Sequence, residues 1–242
     1  MKLFNNITIK PYMADKEIAI VEEVLLKLRP TRCLEWGSGY STLYFSHLLP
    51  ENAQWIAVEH DRVWQQFVVR LMNSTPLQER RGPGGWHRVY LRGQLTKIGF
   101  STLDRAIRIF KKRPRSGASI EIFNIVPNHF PWSDSDEDGC YADLKDYVEF
   151  PTTFGPFDFI LVDGRARKDC LIQAHAMVKD TGVVVLHDAN REYYNEPLGL
   201  YPYQALFTDV RQGPGGGLWI GSKELNLENV VGLEKHCLAW KP

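Results

Sequence analysis

A doubly wound α/β domain on a mostly parallel sheet is the fold this sequence predicts, and three observations predict it. Short, near-continuously apolar runs alternate with helix-period segments, the pattern of parallel strands buried on both faces. Most of these runs end in an acid: Glu35, Glu59, Asp163, and Asp188 just after His187. The tail reads instead as a hairpin, with strands over 203–210 and 218–220 around Gly213-Pro214-Gly215-Gly216-Gly217. Five strands and this pair make a seven-stranded sheet whose last strand is antiparallel.

Each element has a local reason. Ile18, Val21, Val24, Leu25 and Leu28 fall at helical spacing across 14–28, and Pro30 stops that helix. The strand ending at Glu35 follows, then a helix over 42–49 closed by Pro50. Trp55-Ile56-Ala57-Val58 is the second strand, ending at Glu59 and leading into an amphipathic helix through Leu71. Arg81-Gly82-Pro83-Gly84-Gly85 is a turn, and 86–91 alternates like a third strand. From 94 to 155 the pattern degrades, with a stretch at 101–112 that fits a helix and an acidic stretch at 128–139. A loop-rich insertion of that length suits a lid or an acceptor-binding segment. Phe157-Asp158-Phe159-Ile160-Leu161-Val162 is the fourth strand, 167–178 a helix, and Val183-Val184-Val185-Leu186 the fifth strand.

Composition bounds the rest. The 242 residues suit one domain carrying the 94–155 insertion. Basic and acidic residues number 29 each, so no global field draws the chain to nucleic acid or to an anionic membrane. The first residues lack the apolar core of a signal peptide, and no apolar run reaches transmembrane length. Cys33, Cys140, Cys170 and Cys237 are scattered, which fits reduced thiols and a cytoplasmic protein. Asp134 to Gly139 matches the first half of a calcium loop, but its twelfth position is Lys145, so it reads as a solvated loop.

Ligands of open α/β sheets bind beyond the carboxyl ends of the strands, where these acids stand. A cap or a loop charge explains any one of them. Four together point to a shared ligand site. The stretch Leu34-Glu35-Trp36-Gly37-Ser38-Gly39-Tyr40-Ser41-Thr42 reads as strand, tight loop and helix start. Gly37 and Gly39 suit a turn with φ > 0 and bare backbone against a ligand. Their acid-x-Gly-x-Gly spacing differs from the Gly-x-Gly-x-x-Gly of dinucleotide sites. Glu35 at the strand tip suits a ligand ammonium, so a nucleoside with an amino-acid tail fits better than a pyrophosphate. Glu59, 24 residues further on, ends the adjacent strand, where a carboxylate can accept ribose hydroxyls.

With Val58-Glu59-His60-Asp61, Phe159-Ile160-Leu161-Val162-Asp163-Gly164-Arg165 and Val185-Leu186-His187-Asp188, the chain resembles the class I S-adenosylmethionine-dependent methyltransferases. The resemblance covers about 14–222 apart from the insertion, and implies a Rossmann-like sheet binding S-adenosyl-L-methionine. It implies that Glu35, Gly37, Gly39 and Ser41 hold the methionine part, Glu59 the ribose, with His60 an adenosine-side contact and Asp163 beside the cofactor. Residues 92–94, after the third strand, would flank the adenine. The Asp-Gly and His-Asp strand ends look closest to O-methyltransferases acting on a hydroxyl of a small molecule or sugar.

Some of those relatives bind Mg²⁺ at the same two strand ends, which here would use Asp163, Asp188 and Asn190. The sequence departs from the catechol-type pattern, since Ala189 separates Asp188 from Asn190 and Ala166 stands where a base lysine would. His187, with an ordinary pKa near neutrality, is the first expectation for the base, then Asp188, with Asp163 at the same rim. Rival readings are an NAD(P)-dependent oxidoreductase, an aminopropyl transferase, and a non-catalytic binding module on the same fold. The oxidoreductase would want a third glycine where Thr42 stands.

Overall fold

The computed structural model describes residues 3–4, 7–74, 85–89, 107–112, 118–132, 138–208 and 215–240. A small antiparallel pair, β1 (Leu3–Phe4) and β2 (Ile7–Thr8), precedes the helix α1 (Asp15–Leu28). Then come β3 (Arg32–Trp36), α2 (Tyr40–Phe45), β4 (Gln54–Glu59), α3 (Arg62–Ser74), β5 (Gly85–Val89), β6 (Ile107–Lys112) and β7 (Ser119–Asn124). The second half runs α4 (Tyr141–Glu149), β8 (Phe157–Val162), α5 (Arg167–Met177), β9 (Val178–His187), β10 (Tyr203–Phe207), β11 (Leu218–Ser222) and α6 (Leu233–Trp240).

Among the described residues the main sheet has nine strands in the order β10-β11-β9-β8-β3-β4-β7-β6-β5. Its centre is five parallel strands, β7-β4-β3-β8-β9. On one edge β11 runs antiparallel to β9 and β10 antiparallel to β11, the expected closing hairpin. On the other, β6 runs antiparallel to β7 and β5 to β6. The seven strands expected are therefore all in the sheet, which adds β6 and β7.

That edge corrects the reading of 86–155. The strand at Gly85–Val89 lies at the sheet's margin, and the third parallel strand, beside β4, is Ser119–Asn124. Part of the stretch read as a helix, Ile107–Lys112, is strand β6. Its Ile-Arg-Ile alternation supplies the period-2, β-branched pattern that a sheet edge accepts, and pairing with β7 decides the matter over local helix propensity. Val178 likewise opens β9 rather than closing α5, by pairing with Phe157.

Alternation along the parallel strands divides the apolar residues between two cores. Cys33, Trp55, Ala57, Ile120, Phe159, Leu161, Val183 and Val185 face one side, where Ile20, Val21 and Val24 of α1, Leu43 of α2, Val68 of α3 and Trp240 of α6 cover them. Leu34, Trp36, Ile56, Val58, Ile160, Val162, Val184 and Leu186 face the other, under Leu144 and Tyr147 of α4 and Leu171 and Ala174 of α5. Both faces are therefore dry, and polar chemistry is left to the strand ends. Among the described residues no helix is long and apolar enough to cross a membrane.

Candidate functional site

The carboxyl ends of β4, β3, β8 and β9 lie side by side in the sheet, so Glu59, Glu35, Asp163 and His187-Asp188 line one edge. The structure brings all the expected strand-end acids together, but holds them in different ways.

Glu35 shares the face of Cys33 and points beneath α2 rather than out of the sheet edge. It is fully buried, and its carboxylate accepts hydrogen bonds from the Ser41 hydroxyl, from Thr42 Oγ1 at 2.5 Å and from the Trp55 indole at 2.7 Å. Burial pushes its pKa up to about 8 against those three donors, with the Asp163 charge adding to the rise. Glu35 thus anchors the first turn of α2; its direct contact with a ligand ammonium, expected from its place at the strand tip, is not what this geometry provides. Ser41 is drawn to the same carboxylate. Thr42 Oγ1 also accepts from Gly39 N at 2.9 Å, so the residue standing where a dinucleotide site has its third glycine ties loop to strand.

The loop glycines have separate reasons. Gly37 adopts φ +90°, and a Cβ there would lie 2.7 Å from Gly164 Cα and 2.8 Å from Asp163 O. It is glycine so that the loop can pack on the turn after β8. Gly39 has extended backbone, and a Cβ there would meet nothing closer than Ser41 Oγ at 3.7 Å. Nothing in the protein demands a glycine at that position.

Glu59 closes the loop from the β4 side. Its Oε2 accepts from Ser38 N at 2.9 Å and Ser38 Oγ at 3.2 Å, while Oε1 accepts from Asp61 N at 2.8 Å. The side chain is 3% exposed. His60 Nδ1 lies 2.9 Å from Glu59 Oε1, and its ring stands 6.1 Å from that of Trp132 and 5.9 Å from that of Tyr147. Asn124, ending β7, donates to the carbonyls of Glu59 and His60 at 3.0 and 3.3 Å. Residues 92–94 lie outside those described. With β7 as the third parallel strand, the segment that follows it is Ile125-Val126-Pro127, alongside His60.

At β8 and β9 the acids meet cations. His187 is buried, with Nδ1 at 2.9 Å from Asp163 Oδ1 and Nε2 at 3.4 Å from Glu17 Oε2 on α1. Burial alone would lower its pKa, but the carboxylates of Asp163, Glu17 and Asp188 outweigh that and hold it up to about 10. Three carboxylates thus surround the residue expected to act as the base. Asp188 adopts φ +58°, unusual for a residue with a side chain. Its Oδ2 accepts from Arg167 Nη1 at 2.8 Å and its Oδ1 from Gly216 N at 2.8 Å. Desolvation would raise its pKa, yet His187 and Arg167 bring it down to about 2. Asp188, the second expectation for the base, is thus bonded on one oxygen to Arg167 and on the other to Gly216.

Glu17 is the member of this cluster that the sequence gives no sign of; Arg167 falls, with Arg165 and Arg191, among arginines that the sequence places around this rim without a role. The signal for Arg167 was its place one turn beyond Asp163. Glu17 carried none, because α1 reaches the edge only through tertiary packing.

The Mg²⁺ set does not fit this arrangement. Asp163 and Asp188 already face the Arg167 guanidinium, and Asp163 the His187 ring as well. Among the described residues no three His, Cys, Asp or Glu side chains are grouped to hold a metal ion.

No protein-family model matches the chain, and neither does any curated protein. Solved structures do resemble it, at low identity. A methyltransferase-like protein from Silicibacter pomeroyi aligns over 97% of this chain and 100% of its own, with TM-score 0.55 and 16% identity. An O-methyltransferase from Bacillus cereus in complex with SAH covers 87% of this chain and 82% of its own, with TM-score 0.53 and 12% identity. A putative O-methyltransferase from Klebsiella pneumoniae covers 88% and 82%, with TM-score 0.51 and 14% identity. The chain has the α/β Rossmann-like fold of class I methyltransferases.

Proposed function

We propose that the protein transfers a methyl group from S-adenosyl-L-methionine to a hydroxyl of a small molecule or sugar. The observation that carries this reading is the Gly37-Ser38-Gly39 loop, fixed between the Asp163-Gly164 turn and the Glu59 carboxylate, where a Cβ on Gly39 would make only ordinary van der Waals contacts, with Ser41 and Trp64. Support also comes from fold neighbours that are methyltransferases, one of them in complex with SAH.

In this reading Gly37 shapes the loop, Gly39 leaves its backbone bare to the methionine part, and Ser41 and Glu35 hold the helix start beneath it. Glu59, which Ser38 and Asp61 orient and His60 adjoins, meets the ribose hydroxyls. His60 and 125–127 flank the adenine. Methyl transfer is an in-line displacement, so alignment of the acceptor oxygen supplies much of the rate. Asp163 is 22% exposed, more than Asp188 at 17%, and takes the hydrogen bond of the acceptor hydroxyl while His187 holds its other side. The protein's partner in this reading is a small-molecule or sugar acceptor rather than a nucleic acid or a membrane, and the protein works in the cytoplasm.

The test is calorimetric titration with S-adenosylhomocysteine, with NAD as control, on the wild type and on Glu59→Ala. We expect binding of S-adenosylhomocysteine alone, and a loss of roughly tenfold or more in Glu59→Ala, the worth of a charge-assisted hydrogen bond. Binding of NAD instead would favour the oxidoreductase. Unchanged affinity in Glu59→Ala would remove the ribose assignment.

A further inference from the structure

We infer that Arg167 is a built-in replacement for a divalent cation, a positioning residue that holds the β8 and β9 strand ends together without metal. The inference stands on this chain's own geometry and does not depend on which acceptor is used.

Arg167 is 7% exposed, and its guanidinium is spent on the two strand ends. Nε donates to Gly164 O at 3.1 Å, on the loop after β8. Nη1 donates to His187 O at 2.7 Å and Asp188 Oδ2 at 2.8 Å, at the end of β9. Nη2 lies 3.6 Å from Asp163 Oδ1. Its own backbone N–H is fixed by Asp138 Oδ2 at 3.1 Å, and its guanidinium carbon sits 5.9 Å from the Tyr194 ring centroid. One planar cation therefore spans both carboxylates and both loop backbones, contacts that a metal ion would otherwise make through oxygen ligands.

The carboxylates of Asp163, Asp188 and Asp138 stand around Arg167, with Arg191 Nη2 3.8 Å from Asp188 on the outer side. A dication entering this group would have to displace the guanidinium and leave it buried without its partners, which is costly. The backbone bears the same mark. Ala166, just before Arg167, and Asp188, which it grips, both take left-handed conformations, at φ +47° and +58°. Arg167 bonds Asp188 through its side chain, and Ala166 is tied by its own N–H to Asp138 O at 2.9 Å.

The experiment is titration with Mn²⁺ followed by calorimetry and electron paramagnetic resonance, paired with thermal denaturation. Wild type and Arg167→Lys, which keeps the charge, are expected to show no saturable Mn²⁺ binding. Arg167→Ala is expected to gain one Mn²⁺ site that Asp163→Asn in the same background abolishes. Arg167→Ala is also expected to melt several degrees below Arg70→Ala, an exposed control, and to regain part of that loss on adding Asp188→Asn, which removes the uncompensated charge. A saturable Mn²⁺ site in the wild type that Asp163→Asn removes would overturn the inference whatever the variants do. So would a folded Arg167→Ala that binds no Mn²⁺.

Discussion

Gly37 and Gly39 stand two residues apart and do different work. At Gly37 a side chain meets backbone at 2.7 Å and a left-handed φ together, so Gly37→Ala should cost about 3 kcal/mol of stability, combining the left-handed penalty with overpacking. At Gly39 the chain has room, so Gly39→Ala should leave the melting temperature nearly unchanged and weaken S-adenosylhomocysteine binding. Denaturation and calorimetry on the two variants separate these roles. If Gly39→Ala keeps full affinity, the ligand does not lie against that backbone. The acid-x-Gly-x-Gly spacing was legible in the sequence; the division of labour was not, because the Gly37 constraint comes from a turn more than a hundred residues away.

At the scale of elements, α1 is fastened to the far end of the sheet by side chains rather than by its apolar stripe alone. Glu17 accepts from Gly217 N at 2.8 Å and from Ala14 N at 2.7 Å, and faces His187 at 3.4 Å. Its pKa is lowered because those partners outweigh burial. Glu17→Ala removes the acceptor of a buried backbone N–H and one counter-charge of His187, and should destabilise by about 2–4 kcal/mol. Glu23→Ala, whose more exposed carboxylate accepts from Gly232 N at 3.1 Å and pairs with His236 Nε2 at 2.7 Å and Lys27, should cost less. Urea denaturation of the pair tests the order, and equal losses would mean that the Glu17 cluster adds nothing beyond a surface tie. Helix α1 was readable from its spacing, but its reach into the site was not.

For the whole molecule, the buried groups set a pH dependence with a definite sign. His187 is raised from 6.5 to about 10 and Glu35 from 4.5 to about 8, so each binds its proton more tightly folded than unfolded. Their stabilisation is full below the unfolded values and drains as pH rises through the folded ones. Asp188, lowered from 3.8 to about 2, acts oppositely and loses its contribution only as pH falls through that range. The melting temperature should therefore decline between pH 6.5 and about 10, and His187→Asn should flatten the upper part of that decline. A melting temperature that is level or rising across this interval would show that His187 is not held charged by the cluster.

The sequence by itself determined the parallel core, the closing hairpin, and the acids at the strand ends. Those follow from local pattern: apolar runs, helical spacing and glycine turns are each written within a dozen residues. Only the tertiary structure decided which strand stands beside β4: 86–91 reads locally as the third strand, and long-range pairing put Ser119–Asn124, from within the 94–155 insertion, in that place. It alone decided the ionisation of the site as well. His187 and Asp188 look like a base pair of residues along the chain, but their protonation is set by Glu17, Asp163 and Arg167, which arrive from three other elements. Burial and charge act through space, so no reading along the chain could carry them.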